Sequence, residues 1–196
     1  MSARLISLIG PPAVGKTTLA AALAEASDAT AVYEDYAGNP FLADAYTGQA
    51  EARLPAQLYY LISRVKQLSR SSWPDEGTIV SDYGFCQDRI YARRQLDATE
   101  WEIYDQVACR VEQLVHPPDV LVRLDASPEM LLDRIARRGR DFERTMTAEF
   151  LNDMRSAYER HVPEAPCTII QVDCETEDFR RPESLTRLLE KIRESP

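Results

Sequence analysis

Short apolar segments rich in β-branched residues alternate along the chain with longer amphipathic segments. Segments of this length and composition are typical of strands that are buried on both faces of a parallel sheet. They predict strands at Arg4–Ile9, Thr78–Ser81, Val120–Leu124 and Thr168–Val172, with a weaker fifth strand at Ala31–Tyr33. The chain therefore carries the segments of a five-stranded parallel sheet.

The amphipathic segments between the strands have helical spacing. In Leu54–Arg70, apolar residues recur at intervals of three and four and would share one helix face. Other helices are predicted at Lys16–Ala26, Glu100–Val115, Pro128–Ala136 (after Ser127, with Pro128 at the first helical position), Thr147–Arg160 (with Thr147 as its cap) and Pro182–Ile192. The alternation of strands and helices indicates an α/β fold, in which helices flank a parallel sheet of undetermined strand order.

Composition fits one ordinary domain and argues against several functional classes. A chain of 196 residues has the usual size of one domain, so we expect residues 1–196 to form a single domain. The net charge of −9 argues against nucleic acid as a partner, because that binding depends on Lys and Arg. No segment predicts a membrane span or a secretory signal. The four cysteines lack the spacing of a zinc site, so we expect reduced thiols in a cytoplasmic protein.

The segment after the first strand has the pattern of a phosphate-binding loop. Gly10 to Thr17 reads G-x-x-x-x-G-K-T and stands between a predicted strand and a predicted helix. In such a loop, backbone amides surround phosphates at a helix N-terminus. The residues expected to bind nucleotide are Gly10, Ala13, Val14, Gly15, Lys16, Thr17 and Thr18, of which Lys16 would reach the outer phosphates and Thr17 would also bind Mg²⁺. The motif predicts a P-loop NTPase fold but does not identify the acceptor.

An acidic pair, Glu34 and Asp35, follows the weak second strand. Ligands of parallel α/β sheets bind at the carboxyl ends of the strands. Glu34 is therefore a candidate for accepting a proton from a hydroxyl that attacks the triphosphate. An ordinary surface charge explains the residue equally well at this point.

A series of short stretches, spread over nearly the whole chain, forms a specific order. They are Glu34, Gly38–Leu42, Tyr46, Gln57–Tyr60 with Arg64, Ser81–Arg89, Leu124–Glu129, Arg137–Glu143 and Glu177–Phe179. In sequence and spacing they resemble the deoxynucleoside kinase family, which includes deoxycytidine, deoxyguanosine and deoxyadenosine kinases. The resemblance implies ATP-dependent phosphorylation of the 5′-hydroxyl of a deoxynucleoside.

The resemblance also implies roles for individual residues at the acceptor site. Glu34 matches the family's general base, which activates the 5′-hydroxyl. Gln57 matches the Gln that pairs with the edge of the base, where an amide offers a donor and an acceptor side by side. Tyr46 and Glu149 match the residues that hold the sugar 3′-hydroxyl.

Base preference is only partly indicated by the resemblance. Arg64 and Asp88 match an Arg and an Asp that lie over the base in purine and cytosine kinases, so such a substrate is expected. The family's base-stacking aromatic falls on Ala92 in this chain, with Tyr91 adjacent.

The third strand ends in Asp82, which matches the family's acidic residue near Mg²⁺. Most of the family follows this acid with an arginine that positions the 5′-oxygen and the phosphate. This chain has Tyr83 there. Either the Tyr83 hydroxyl contacts the substrate, or Arg89 or an arginine of the lid takes the place of the missing group.

An arginine cluster stands out in this acidic chain. Its members are Arg134, Arg137, Arg138, Arg140 and Arg144. Fixed guanidinium groups stabilise the charge on a transferring phosphoryl group. The cluster matches the family's lid, at residues 137–146, in which we expect Arg138 and Arg140 to act on ATP. The resemblance also places Glu177, Asp178 and Phe179 against the donor adenine.

Two other classes share some of these features. A nucleoside monophosphate kinase also has the phosphate-binding loop and an arginine lid, but it needs cations to hold the phosphate of its acceptor. A non-catalytic nucleotide-binding switch of the GTPase type needs an Asn-Lys-x-Asp sequence, which is absent. A homodimer is expected by resemblance alone.

Overall fold

A five-stranded parallel sheet forms the centre of the structure, a computed structural model that describes residues 3–162 and 167–195. Its strands are Arg4–Ile9 (β1), Thr30–Val32 (β2), Thr78–Ser81 (β3), Val120–Asp125 (β4) and Thr168–Asp173 (β5). The strand order is β2-β3-β1-β4-β5. This is the predicted α/β class, and the order that the sequence left open places β1 in the middle.

Helices cover both faces of this sheet. They are Lys16–Ser27 (α1), Leu42–Tyr46 (α2), Arg53–Leu68 (α3), Gln87–Gln95 (α4), Ala98–Val111 (α5), Pro128–Arg138 (α6), Ala148–His161 (α7) and Pro182–Glu194 (α8). The predicted cap Thr147 is confirmed, since its Oγ1 accepts from Phe150 N, and Ser127 likewise caps α6, where its Oγ accepts from Met130 N. None of the helices within the described residues has the length and apolar character that a membrane span requires.

The main apolar core lies between the sheet and four of the helices, α1, α6, α7 and α8. Leu8 of β1 and Val122 of β4 pack with Leu23 of α1, Leu131 of α6 and Leu188 of α8. Leu8, Leu23, Val122 and Leu131 are fully buried. Because burial of each large apolar side chain contributes about 1.5–3 kcal/mol, this layer fixes the direction of the strands and of the loops that follow them.

Two helices, α2 and α4, were not predicted from the sequence. The five residues of α2 are too few to show a period. In α4 the buried positions include Gln87 and Asp88 beside Ile90 and Ala92, so the buried face of this helix is not an apolar face. Hydrophobic periodicity detects buried faces only where these are apolar.

Candidate active site

A cleft of about 1150 Å³ opens at the carboxyl ends of the strands. The loop after β1, Glu34 after β2 and Asp82 after β3 line one side of it, and Arg138 and Arg140 line another. Ligands of open parallel sheets bind at this edge. The fold therefore brings together residues that the sequence analysis had selected from distant parts of the chain.

The loop after β1 has the backbone of an anion-binding loop. Gly10 and Gly15 have φ values of 145° and 111°, and Ala13 has a φ of 61°. Lys16 Nζ donates hydrogen bonds to the carbonyl oxygens of Gly10 and Pro11, at 2.8 and 2.9 Å. Burial lowers the pKa of Lys16 to about 8, although the charges of Glu34 and Asp82 oppose this shift.

Most of the residues predicted to bind nucleotide line the cleft. They are Ala13, Val14, Gly15, Lys16, Thr17 and Thr18. Gly10 lies beneath the loop, where a Cβ atom would stand 2.4 Å from the carbonyl oxygen of Leu124. A glycine is thus required there by close contact with β4 as well as by its positive φ.

Asp82 joins the nucleotide side of the cleft to the acceptor side. Its Oδ2 accepts a hydrogen bond from Thr17 Oγ1 at 2.6 Å, and its Oδ1 accepts one from the backbone amide of Glu34 at 2.8 Å. Burial raises the pKa of Asp82, while the bonds from Thr17 and Glu34 partly oppose that rise.

The chemistry of Thr17 and Asp82 fits Mg²⁺. Hydroxyl and carboxylate oxygens are hard ligands, and Mg²⁺ commonly binds through one or two protein oxygens together with waters and substrate phosphates. Within residues 3–162 and 167–195 there is no group of three or more His, Cys, Asp or Glu side chains suited to a metal. A magnesium ion bound with a nucleotide does not need such a group.

Glu34 lies in an ionic cluster rather than on an open surface. Arg64 Nη2 of α3 contacts Glu34 Oε1, and Arg64 Nη1 contacts Asp88 Oδ1 of α4. Burial opposes the charge of Arg64, but the carboxylate of Glu34 outweighs it and raises the pKa of Arg64. The guanidinium therefore stays charged beside Glu34.

The acceptor side of the cleft is lined by tyrosines and by Gln57. Gln57 is buried on α3, and its Nε2 donates to Gln95 Oε1 at 2.9 Å. Burial, together with the charges of Glu34 and Glu143, raises the pKa of Tyr46, so its hydroxyl remains protonated. Tyr91 also lines the cleft. Ala92 is fully buried in a separate apolar cluster, so Tyr91, and not residue 92, is the aromatic that α4 presents to the cleft.

The lid segment at residues 137–146 includes one buried carboxylate, which the sequence analysis did not select. Glu143 is 3% exposed and lines the cleft. Arg138 Nε donates to its Oε2 at 3.0 Å, and Arg140 Nη1 lies 3.5 Å from its Oε1. The Arg140 guanidinium also lies 3.9 Å from the ring centre of Tyr36. Arg138 and Arg140 thus face the cleft together.

The other arginines of the cluster have different positions. Arg144 is exposed and pairs with Asp141, and Arg137 is exposed and pairs with Asp133 one turn away. Arg134 Nη1 donates to the carbonyl oxygen of Val14 at 2.8 Å, so it braces the phosphate-binding loop.

Several expectations about the acceptor site need correction. Glu149 is exposed in the first turn of α7 and does not line the cleft, whereas Glu143 lies beside Tyr46. Asp88 is 1% exposed and reaches the cleft only through Arg64. Arg89 pairs with Asp105 and Glu112 of the α5 region, away from the cleft.

Tyr83 is also placed differently from the expectation that its hydroxyl contacts the substrate. Its side chain is fully buried, and its hydroxyl donates to Gln67 Oε1 at 2.7 Å. It lies behind Arg64, whose guanidinium carbon is 5.2 Å from the centre of the ring. Tyr83 therefore contacts a cleft residue and not the cleft itself.

The loop after β5 completes the cleft. Glu177, Asp178 and Phe179 all line it, and their contact with the donor adenine stays a prediction. Glu177 pairs with Arg187 of α8 at 2.8 Å. Hydrogen bonds from Arg180 lower the pKa of Asp178 to about 2.

Comparison with known proteins decides the family. The sequence model of the family described as "Deoxynucleoside kinase" matches residues 6–195. The chain belongs to the deoxynucleoside kinase family. It is therefore a phosphotransferase that uses a phosphate-donor nucleotide and acts on a deoxynucleoside. The match favours this class over the nucleoside monophosphate kinase and the non-catalytic switch that the sequence left open.

Individual family members resemble the chain over most of its length. A deoxyguanosine kinase of Bacillus subtilis is 30% identical over 91% of this chain and 90% of its own length. A deoxyadenosine kinase of Dictyostelium discoideum is 28% identical over 97% of this chain and 79% of its own length. The solved structure of a deoxyadenosine kinase from M. mycoides has the same fold, with a TM-score of 0.82 at 22% identity, over 96% of this chain and 98% of that one.

Proposed function

We propose that this deoxynucleoside kinase transfers the terminal phosphoryl group of ATP to the 5′-hydroxyl of a purine or cytosine deoxynucleoside. The observation that carries the proposal is Glu34, a carboxylate held at the carboxyl end of β2 in the same cleft as the phosphate-binding loop. A carboxylate suits a neutral hydroxyl acceptor, whereas a second phosphate would be repelled. The base classes follow those of the relatives named above.

The donor side would bind ATP through the loop after β1. Its amides and Lys16 meet the phosphates, and the loop at Glu177–Phe179 lies against the adenine. Thr17 and Asp82 would hold Mg²⁺, which neutralises phosphate charge when it is bound. Arg138 and Arg140 would stabilise the charge on the phosphoryl group during transfer.

On the acceptor side, Glu34 would accept the proton of the 5′-hydroxyl. The 5′-oxygen then forms a bond to the terminal phosphorus of ATP, the bond from that phosphorus to the bridging oxygen breaks, and ADP leaves. Tyr46 and Glu143 would hold the sugar 3′-hydroxyl as a donor and an acceptor, which is supported by the effect of the Glu143 charge on the Tyr46 hydroxyl. Gln57 would pair with the edge of the base.

We also propose that the protein is a cytoplasmic homodimer and a single domain. All four cysteines are free, which suits a reducing compartment. The helices α3 and α5 expose Ile62, Ile103 and Val107, with 62%, 47% and 37% of their surface accessible. These side chains are suited to an interface, whereas Tyr104 of α5 is fully buried in the core. Sedimentation velocity tests the dimer.

The proposed reaction is tested with a substrate panel and a Glu34→Gln variant. We expect turnover with deoxynucleosides and none with nucleoside monophosphates. Glu34→Gln should lower kcat by about 10²–10⁴-fold, with little change in ATP affinity, because it removes only the proton acceptor. Asp35→Asn is the matched control, since Asp35 is the adjacent exposed carboxylate and bonds to Tyr59. Retained turnover in Glu34→Gln would remove Glu34 from the base role.

A further inference from the structure

We infer that Arg64 positions Glu34 for the reaction and that Tyr83 holds Arg64 in place. Arg64 would thus supply, from helix α3, the cation that this chain lacks directly after Asp82. The inference rests on the proposed function, because a positioning role has meaning only if Glu34 accepts the proton.

The contact between Arg64 and Glu34 is directional. Arg64 Nη2 meets Glu34 Oε1, while Arg64 Nη1 meets Asp88 Oδ1, so two carboxylates fix the plane of the guanidinium. Arg64 is 4% exposed and Asp88 is 1% exposed. Because one carboxylate oxygen of Glu34 is engaged by Arg64, the other oxygen, Oε2, is the one that we assign to the 5′-hydroxyl.

Two aromatic rings hold the same guanidinium. The guanidinium carbon of Arg64 is 5.0 Å from the ring centre of Tyr60 and 5.2 Å from that of Tyr83. A planar cation is attracted to aromatic faces, more strongly where water is excluded. The rings and the buried Asp88 together restrict Arg64 to the orientation that meets Glu34.

Tyr83 is itself fixed by the helix that carries Arg64. Its hydroxyl donates to Gln67 Oε1, which lies three residues after Arg64 on α3. Its carbonyl oxygen accepts from Ser81 Oγ at 2.6 Å. Tyr83 therefore ties the end of β3, and with it Asp82, to the segment of α3 that contacts Glu34. Tyr83, which stands where most of the family has an arginine, would therefore act through Arg64.

A different role for Arg64, the reading of the base, predicts different kinetics. A group that reads the base changes KM for the nucleoside and the preference among bases. A group that positions Glu34 changes kcat at saturating nucleoside, and by the same factor for every base. The split between kcat and KM therefore distinguishes the two roles.

The first experiment measures Arg64→Gln on deoxyadenosine, deoxyguanosine and deoxycytidine at saturating ATP. We expect kcat to fall by about 10- to 100-fold on each accepted substrate, with KM for the nucleoside changed by less than about threefold. Lys66→Gln is the control, because it removes an exposed cation from the same helix. A change in KM or in base preference at unchanged kcat would overturn the inference.

A double variant shows whether Arg64 acts through Glu34. If it does, Glu34→Gln with Arg64→Gln should have the same kcat as Glu34→Gln alone, since no base remains to be positioned. If the two substitutions instead lowered kcat independently, so that the factors of the single variants multiplied in the double variant, the inference would be contradicted. Failure of the proposed function has another signature, because Glu34→Gln would then keep its turnover whatever Arg64 does.

The role of Tyr83 is tested with two substitutions. Tyr83→Leu removes the ring and should lower kcat in the same manner as Arg64→Gln, while Tyr83→Phe keeps the ring and should lose less. Thermal unfolding checks that each variant is folded. If Tyr83→Leu does not fold, Tyr60→Leu, which removes the other ring beside Arg64, tests whether aromatic packing holds the guanidinium; because Tyr60 also lines the cleft, its effect is read from kcat at saturating nucleoside. If folded Tyr83→Leu kept the wild-type kcat, Tyr83 would not be the residue that holds Arg64 in place.

Discussion

At the scale of single residues, the site depends on buried polar groups that each make two contacts. Asp82 accepts from Thr17 and from the Glu34 amide through different oxygens. Arg64 contacts Glu34 with one nitrogen and Asp88 with another. Because a buried polar group that loses its partner costs about 1–3 kcal/mol, each of these residues holds its neighbours in place as well as itself.

A prediction at this scale concerns Gly10. Its φ of +145° and a Cβ position 2.4 Å from Leu124 O mean that Gly10→Ala adds both backbone strain and a clash with β4. Gly77→Ala is the control, because Gly77 has a φ of +107° but open space at its Cβ position. We expect Gly10→Ala to lower the free energy of unfolding by an additional ~1–3 kcal/mol relative to Gly77→Ala, measured by urea unfolding. Equal losses would show that the contact with β4 does not matter.

At the scale of elements, the arginines of the lid are held together by a carboxylate of the same segment, Glu143. The turn at Asp141–Glu143 follows α6, which ends at Arg138 and is capped by Gly139 with a φ of 69°. This turn brings Glu143 back against Arg138 and Arg140 and beside Tyr46. The arginines that we propose act on the donor and the carboxylate that we propose holds the acceptor sugar therefore belong to one short segment.

We predict that Glu143→Gln lowers kcat/KM for the deoxynucleoside by about 10- to 100-fold, since it removes a charged partner of two arginines and an acceptor for the sugar. Glu149→Gln is the matched comparison on the exposed start of α7. The measurement is steady-state kinetics with the nucleoside varied. An equal or larger loss in Glu149→Gln would restore the assignment that the resemblance alone suggested.

At the scale of the whole molecule, three segments far apart in the chain meet at the donor site. Arg134 of α6 donates to the carbonyl oxygen of Val14 in the phosphate-binding loop, at 2.8 Å, and to that of Cys174 after β5, at 3.4 Å. The central position of β1 makes this possible, since its neighbour β4 leads into α6 and β5 lies next to β4. Arg134 therefore couples the shape of the loop to the rest of the sheet.

We predict that Arg134→Leu weakens ATP binding by about 5- to 30-fold, the equivalent of about 1–2 kcal/mol for a lost charged hydrogen bond. Calorimetric titration with a non-hydrolysable ATP analogue measures the effect. Arg110→Leu, which removes an exposed arginine from α5, provides the control. Unchanged affinity in Arg134→Leu would show that the loop holds its shape without this contact.

Features encoded by neighbouring residues could be read from the sequence. Strands Arg4–Ile9 and Thr78–Ser81 have the predicted bounds, and the phosphate-binding loop lies where its motif placed it. Apolar periodicity and glycine-rich turns reflect local backbone geometry and burial, so a short window of sequence contains them. The sequence thus determined the fold class, the nucleotide-binding loop and the family resemblance.

Tertiary structure decided what depends on distant partners. Arg64 and Glu34 are 30 residues apart in sequence, and nothing in either local segment indicates that they meet. The burial of Tyr83, the position of Glu143 in the cleft and the polar buried face of α4 likewise depend on the strand order and on helix packing. Ion pairs and hydrogen bonds between distant residues have no periodic signal, because the groups that satisfy them come together only when the sheet is assembled.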